Sequence, residues 1–447
     1  MTINTPVKVV SVSSVDNQGE KSKISTKDNL HREDFSYLVQ PSQLEGSVHI
    51  SGAKNSVLRL LAASLLTGER IQIDNYPSTL RDAQIHVRML EALGKKCQVI
   101  DNEIIIHEAH PLSSNLLWEE RSIRNTLLIL GALVTRTGRG SVPLPGGCNL
   151  GERKIDLHEF VLKRLGADVW IENNQLYAET KVRLKGNEIH LPIRSTGATE
   201  NAIICASLAE GVTRVWNPHI RPEILDLIRY LNGMGARIRV FGQEHIEIIG
   251  VEGLRGINHV VIPDNMEAIT WLVSSVITNG DVEIFGFPFQ DLEIPLIHLR
   301  ESGARFYRGE NSLIVRGGCC YPIEISTGPY PGINSDMQPL FAVYGAFAKG
   351  KSHIIDLRFP GRYAYVHELA KMGLEFSING NLLKIEGGNS FHGTTVQALD
   401  LRAGAALVLA GLGAIGTTRI ENAWQVERGY DDFVGKLKAL GGNIKYA

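Results

Sequence analysis

The sequence predicts a mixed α/β protein of two domains, each built from three copies of one unit of about 70 residues. Two sets of glycines carry the repeat. Gly94, Gly166, Gly235, Gly303, Gly373 and Gly441 are separated by 72, 69, 68, 70 and 68 residues. Gly68, Gly140, Gly211, Gly280, Gly350 and Gly416 are separated by 72, 71, 69, 70 and 66. The third observation is the pattern inside each unit: an apolar helix, a turn glycine, a β-rich segment, a second helix and a glycine step. Helices alternating with strands pack against sheets. Six units of this length are too large for a solenoid of small repeats, so they divide into two domains of three.

The elements follow in chain order. Met1 to Asp34 mixes Ser, Lys, Asp and Asn without periodicity and reads as a poorly ordered extension. Tyr37–Ile50 resembles the strand pair that closes a unit and is expected to complete the last domain from the N-terminal side. Ser47–Ile50 leads through a Gly turn into a helix over Val57–Leu66. The third unit is the clearest. Ala202–Glu210 is an apolar run suited to a buried helix, ended by Gly211. Val212–Trp216 alternates as a strand. Arg221–Met234 carries Ile224, Leu225, Leu227, Ile228 and Leu231 at helical spacing. Arg237–Val240 and His245–Ile249 read as two short strands. Val260–Ile262, followed by Pro263-Asp264, is the expected crossing between domains. The predicted domains are therefore 54–262 and, from two stretches, 35–53 with 263–447.

Composition narrows the function. Of 447 residues, 43 % are apolar and 21 % charged, which is ordinary for a globular chain. Lysine and arginine number 46 against 48 acids, a net charge of −2. A general polyanion binder is more basic, so no nucleic-acid partner is expected. Apolar runs such as Thr126–Val134 fall well short of the ~20 residues of a membrane helix. The first 34 residues lack the apolar core of a secretory signal. The five cysteines have no metal-ligand spacing, and Cys205 sits in a core-like run, which suits a reducing cytoplasm. These features point to a cytoplasmic enzyme of small molecules.

Several segments carry chemistry. Ser51-Gly52-Ala53-Lys54-Asn55-Ser56 joins a strand to a helix, where free backbone N–H groups and a lysine can meet an anion; an ordinary capped turn is the alternative. Pro145-Gly146-Gly147-Cys148-Asn149-Leu150-Gly151-Glu152-Arg153 presents a thiol in an irregular loop near a cation, which favours thiolate and suits proton transfer or attack. Asp156 and His158 are two apart on a helix and share no face, so His158 reads as structural. Ser195-Thr196-Gly197-Ala198-Thr199-Glu200-Asn201 precedes a helix and suits a phosphate or diphosphate, or is an N-cap with Glu200 as a capping-box acid. Asp336, after the loop Thr327–Ser335, reads as a helix cap, with a catalytic base as the alternative. Arg124, Arg362, Arg402 and Arg428 stand at element ends. Arg402 heads a very apolar helix and needs a partner, either Asp400 or a bound anion.

Taken in order, Gly52-Ala53-Lys54-Asn55, Pro145-Gly146-Gly147-Cys148, Gly197-Ala198-Thr199-Glu200-Asn201, Ser335-Asp336-Met337-Gln338, Asp400-Leu401-Arg402-Ala403 and Arg428-Gly429-Tyr430 resemble the enolpyruvyl transferase family, in its UDP-N-acetylglucosamine 1-carboxyvinyltransferase branch. The resemblance runs from about Tyr37 to Ala447. It implies two inside-out α/β barrels with the site in the cleft between them. It also implies transfer of the enolpyruvyl group of phosphoenolpyruvate to a sugar 3-hydroxyl, with phosphate release and no metal or cofactor.

By matching position, the resemblance assigns Lys54, Asn55, Arg124, Arg153, Arg362, Arg402 and Arg428 to phosphoenolpyruvate. It assigns Asn55, Arg153, Lys154, Ile155, Asp156, Leu157, Ser195, Thr196, Gly197 and Asp336 to the UDP-sugar. Cys148 resembles the family's proton donor and the site of alkylation by fosfomycin, Asp336 the base, and Lys54 a catalytic cation. The chain departs from the family at Lys154, where proline is usual, at Asn265 and Ile269, and at Ile333-Asn334-Ser335, where Phe-Pro-Thr is common. Those departures keep open a different nucleotide or sugar acceptor, such as UMP, and a non-catalytic regulator that binds the nucleotide sugar. Oligomeric state is not legible.

Overall fold

The computed structural model describes residues 34–145 and 155–447. The expectations for the extension before Asp34, and for Cys148, Arg153 and Lys154, lie outside the described residues. Four of the units run through a short strand, an inner helix, a strand, an outer helix and a hairpin; among the described residues the second has no short strand, and the sixth ends in one strand, Asn443–Tyr446, paired with Tyr37–Gln40. In the third unit these are Glu188–His190, Thr196–Ala206, Val212–Trp216, Pro222–Gly233, and the hairpin Arg237–Phe241 with His245–Ile249. Val212–Trp216 pairs in parallel with Glu188–His190 and antiparallel with His245–Ile249, and Arg237–Phe241 forms the edge. The helix expected over Ala202–Glu210 instead begins at Thr196, because Ser195 supplies the cap: its side chain accepts from the Ala198 N–H at 3.4 Å.

All six step glycines, from Gly94 to Gly441, have φ between +82° and +113°. That left-handed conformation ends an L-residue helix and turns the chain into the hairpin, so the period in the sequence is a period of helix stops.

The inner helices explain the barrel. Asn265–Ile277, Gln338–Phe347 and Leu401–Leu412 are apolar all round and buried along nearly their whole length. Such helices have no face for water and must be enclosed. They pack on one another, and sheets surround them. Lys54–Ala63, Thr126–Thr137 and Thr196–Ala206 are the corresponding set in the other half. Outer helices such as Glu293–Glu301 are buried on one side only, leaving Glu293, Arg300 and Glu301 exposed. The buried apolar residues accordingly form two cores, one drawn from residues 53–261 and one from 37–50 with 266–444.

The N-terminal strands do not act as one pair. Tyr37–Gln40 completes the sixth sheet between Thr418–Glu421 and Asn443–Tyr446. Glu45–His49 instead opens the fourth sheet beside Asp281–Phe285. Pro41, which cannot donate to a ladder, separates the two strands, and the buried Leu44 carbonyl accepts from the Asp281 N–H at 2.9 Å. Reciprocally, Asn258–Val260 opens the first sheet beside Ile71–Asp74. The chain therefore crosses between the halves twice, side by side. Ala53 N–H donates to Ile262 O at 2.8 Å and Asp264 N–H to Ser51 O at 2.9 Å. Gly52 is required there, since a Cβ would lie 1.9 Å from Asn75 O.

Candidate active site

Because the inner helices run side by side in each half, their N-termini can meet. Residues at or beside all six of these N-termini line one cavity of about 1070 Å³: Lys54, Asn125, Thr196, Asn265, Met337 and Leu401. Helix N-termini carry partial positive charge and unpaired N–H groups. The side chains add to it. Among the described residues the cavity wall holds nine lysines and arginines against five carboxylates, in a chain whose net charge is −2. This is a site for anions.

Most of the residues singled out in the sequence are brought together here. Lys54, Asn55, Arg124, Asp156, Leu157, Ser195, Thr196, Gly197, Asp336, Arg362, Arg402 and Arg428 all line the cavity. Ile155 does not; it packs against the core of the 53–261 half. Pro145 and Asp156, either side of the Cys148 segment, also face the cavity.

Arg402 is 1 % exposed and has no ion pair with a carboxylate among the described residues. Asp400 is not its partner. That carboxylate caps the helix, accepting from the Arg402 and Ala403 backbone N–H groups at 2.8 Å each, and faces Arg362 at 3.6 Å. The Arg402 guanidinium instead lies 4.9 Å from the Tyr430 ring centre and donates through Nη1 to Gly429 O at 3.3 Å, while its Nε has no partner. The short motif Arg428-Gly429-Tyr430 thus supports Arg402 directly. A guanidinium buried without an anion costs several kcal/mol, and an anion in the cavity recovers much of that.

Asp336 is not a cap either. Asn334 caps the turn Ser335–Met337, accepting from the Asp336 N–H at 3.0 Å. The Asp336 carboxylate, partly exposed, accepts from Arg362 Nη1 at 2.8 Å. Burial opposes the Arg362 charge, but Asp336 and Asp400 outweigh it and hold the guanidinium above its ordinary value. Glu200 forms no capping box; with Ser195 as the cap it lies two positions beyond the third helical residue that such an acid occupies, and it pairs with Arg59 Nε at 2.6 Å. Gly197 is small because His158 lies against it: a Cβ would sit 2.7 Å from His158 Nε2. Burial, then Arg124, pulls His158 down to about 3, so it is neutral; it stands in the cavity wall, and its Nδ1 has no hydrogen-bond partner among the described residues.

Sequence reasoning missed several groups. Asp82 holds Lys54 at 2.9 Å and Arg428 at 3.0 Å. Arg221, bidentate with Glu223 at 2.7 Å, and Arg358 face the same cavity from opposite halves of the chain. Asp291, in the wall, is pushed up to about 6 by burial and then Glu223. The buried Asp356 accepts from Thr327 Oγ1 at 2.8 Å, from Ser335 Oγ, and from the Arg358 and Phe359 N–H groups at 2.9 Å, tying two loops of the site together. None of these stands in a distinctive pattern; Asp82 reads as an ordinary acid in the first turn of an amphipathic helix.

Comparison with known proteins agrees with this geometry. The family model described as EPSP synthase (3-phosphoshikimate 1-carboxyvinyltransferase) matches residues 38–437. The chain is 39 % identical over 407 residues to a UDP-N-acetylglucosamine 1-carboxyvinyltransferase of Finegoldia magna, covering 90 % of this chain and 96 % of the relative. It is 40 % identical over 414 residues to UDP-N-acetylglucosamine 1-carboxyvinyltransferase 2 of Carboxydothermus hydrogenoformans, covering 92 % and 98 %. Among solved structures, the enolpyruvyl transferase NikO from Streptomyces tendae has a TM-score of 0.83 at 24 % identity, covering 93 % of this chain and 99 % of that one. EPSP synthase from Acinetobacter baumannii has a TM-score of 0.68 at 18 % identity, covering 92 % and 100 %. At those identities the two structures speak for the fold alone.

Proposed function

The chain belongs to the carboxyvinyltransferase family described by the EPSP synthase model, and from that membership we propose that it transfers the enolpyruvyl group of phosphoenolpyruvate to the 3-hydroxyl of UDP-N-acetylglucosamine, releasing phosphate. The observation that carries this reading is the convergence of six helix N-termini and a buried, unpaired Arg402 on one cavity. A donor with a phosphate and a carboxylate needs fixed cations on several sides. The acceptor is taken from the relatives at 39 % and 40 % identity, which are named for it.

In this reading Lys54, Asn55, Arg124, Arg362, Arg402 and Arg428 hold the donor, together with Arg153. The acceptor 3-oxygen adds to C2 of the donor while C3 takes a proton. The C2–O bond to phosphate then breaks, a proton leaves C3, and the double bond re-forms. Asp336, whose carboxylate accepts from Arg362 Nη1 at 2.8 Å, takes the hydroxyl proton, and Cys148 gives the proton to C3. Ser195 to Gly197, with the helix N-terminus behind them, face the acceptor diphosphate, and Asp156 and Leu157 face its uracil side. The two barrels, 54–262 and 35–53 with 263–447, close on the substrates and exclude water. The reaction belongs to the cytoplasm and to the first committed step of peptidoglycan synthesis, which maintains cell shape. It involves small molecules rather than a nucleic acid or a membrane.

Phosphate release from phosphoenolpyruvate tests the proposal. Release is expected with UDP-N-acetylglucosamine. Release only with another acceptor, such as UMP, overturns the acceptor, and no release with any acceptor overturns the enzymatic reading in favour of a nucleotide-sugar-binding regulator. Intact mass after fosfomycin treatment is expected to show one adduct, which Cys148→Asp removes.

A further inference from the structure

Asp82 meets two of the proposed donor-binding cations at once. Its side chain is 5 % exposed, and it lies on the outer helix Arg81–Ala92 of the first unit. Oδ2 meets Lys54 Nζ at 2.9 Å, and Oδ1 accepts from Arg428 Nε at 3.0 Å. Lys54 and Asp82 stand on helices whose apolar residues enter the core of residues 53–261, whereas Arg428 follows the short helix Trp424–Glu427 of the other half. The neighbouring Arg81 lies 5.5 Å from the Trp424 ring centre, so two consecutive residues of one half engage the same short segment of the other.

The electrostatics around Lys54 explain why a carboxylate is needed there. Lys54 is the first residue of an inner helix, at its positive end. Burial pulls its ammonium below the ordinary value; Asp82 opposes that, while Arg428 and Arg402 add to it. On Asp82 burial acts in the other direction, but Lys54 and Arg428 outweigh it and hold the carboxylate at about 2. Asp264, the other buried carboxylate here, is taken up by backbone N–H groups, accepting from Lys54 at 2.9 Å and from Met266 and Glu267 at 2.8 and 3.0 Å; without Asp82 it would be left to face Lys54, Arg402 and Arg428 together, and the lysine is the one that can shed its proton.

We infer that Asp82 is a positioning residue for the donor-binding cations, holding Lys54 in place and charged and tying it to Arg428 across the two halves of the chain. This role rests on the proposed reading of the cavity. Asp82 touches no reacting atom; it acts through Lys54 and Arg428.

The test is steady-state kinetics of the full chain with phosphoenolpyruvate across pH, for wild type, Asp82→Asn and Asp82→Glu. Asp82→Asn is expected to lower kcat/KM for the donor at least about tenfold near neutral pH and to move the basic limb of its pH profile down by about one pH unit, since Lys54 loses the group that favours its charged form. The acceptor KM is expected to change by no more than about twofold, and Asp82→Glu, which keeps the charge, is expected to return the limb most of the way. A basic limb that stays in place in Asp82→Asn overturns the inference, whether activity is kept or lowered uniformly, because uniform loss is what a purely structural residue gives. If Asp82→Asn does not fold, Asp82→Ser takes its place and is read in the same way: a basic limb displaced downward from wild type supports the inference, and a limb that stays in place overturns it. A wild-type chain that does not turn over the donor refutes the enzymatic reading instead.

Discussion

Arg402 shows at the scale of one residue how burial and charge select chemistry. Its guanidinium rests on Tyr430 and bonds one carbonyl, yet it meets no carboxylate among the described residues. Lysine at this position keeps the charge and loses both the planar fork and the ring contact. Arg402→Lys is therefore expected to lower kcat/KM for the donor by about 10- to 100-fold, equivalent to ~1.5–3 kcal/mol, with the melting temperature little changed. Steady-state kinetics beside a thermal melt check this. Asp336→Asn removes the proposed proton acceptor while keeping a hydrogen-bonding group beside Arg362. A fall in kcat of about 10²- to 10⁴-fold is expected, with the donor still bound in a direct titration. Undiminished kcat in this variant removes the base assignment. These two residues were partly legible beforehand: an arginine at the head of an apolar helix and an aspartate after a Pro/Gly loop both stood out. Their contacts were less so: Asp400, one of the two partners weighed for Arg402, caps the helix instead, and Asp336, read first as a cap, meets Arg362, since proximity along the chain is a poor guide to which carboxylate meets which cation.

Elements are held to the site by buried polar ties. Asp356 follows the strand Lys351–Ile355 and fastens the loop before Asp336 to the loop that carries Arg362. Asp356→Ala leaves several buried donors unpaired. It is expected to destabilise the chain by ~3 kcal/mol and to lower kcat, because Asp336 and Arg362 lose their relative placement. Denaturant unfolding with a kinetic assay measures both, and a loss of stability with unchanged kcat would separate the loops from the chemistry. Gly197→Ala sets a methyl against the buried His158 ring and is expected to cost ~1–3 kcal/mol. Elements of this kind were the most legible part of the fold. Apolar runs with no polar face could only be enclosed helices, and glycines at their ends could only be stops. The capping-box reading of Glu200 failed because the helix begins at Thr196, several residues before the apolar run suggests, and the acid then falls beyond the first turn.

The whole molecule is stitched by exchanged strands. Tyr37–Gln40 and Glu45–His49 complete two different sheets of the half formed otherwise by residues after 263. Removal of residues 37–49 is expected to abolish the cooperative unfolding transition of that half, observed by circular dichroism and calorimetry, rather than to trim an edge. Stability should also fall in acid for an identifiable reason. Burial, then Arg59, holds His86 at about 3, and burial, then Arg124, holds His158 there too. Both titrate near 6.5 when unfolded. Below about pH 6.5 the unfolded chain binds more protons than the native one, so stability decreases with falling pH until about 3, by up to ~1.4 kcal/mol per unit for each histidine. Melts between pH 7 and 4 are expected to show this slope, and His158→Asn to lessen it.

From its residues alone the chain specified six repeated units, enclosed inner helices and the anion-binding motifs, because periodicity, burial demand and turn chemistry act over a few neighbouring positions. Which strands complete which sheets, and which carboxylate holds Lys54 to Arg428, emerged only in three dimensions. Those pairings join residues hundreds of positions apart, and no local pattern encodes a contact whose partners meet only after both cores have formed.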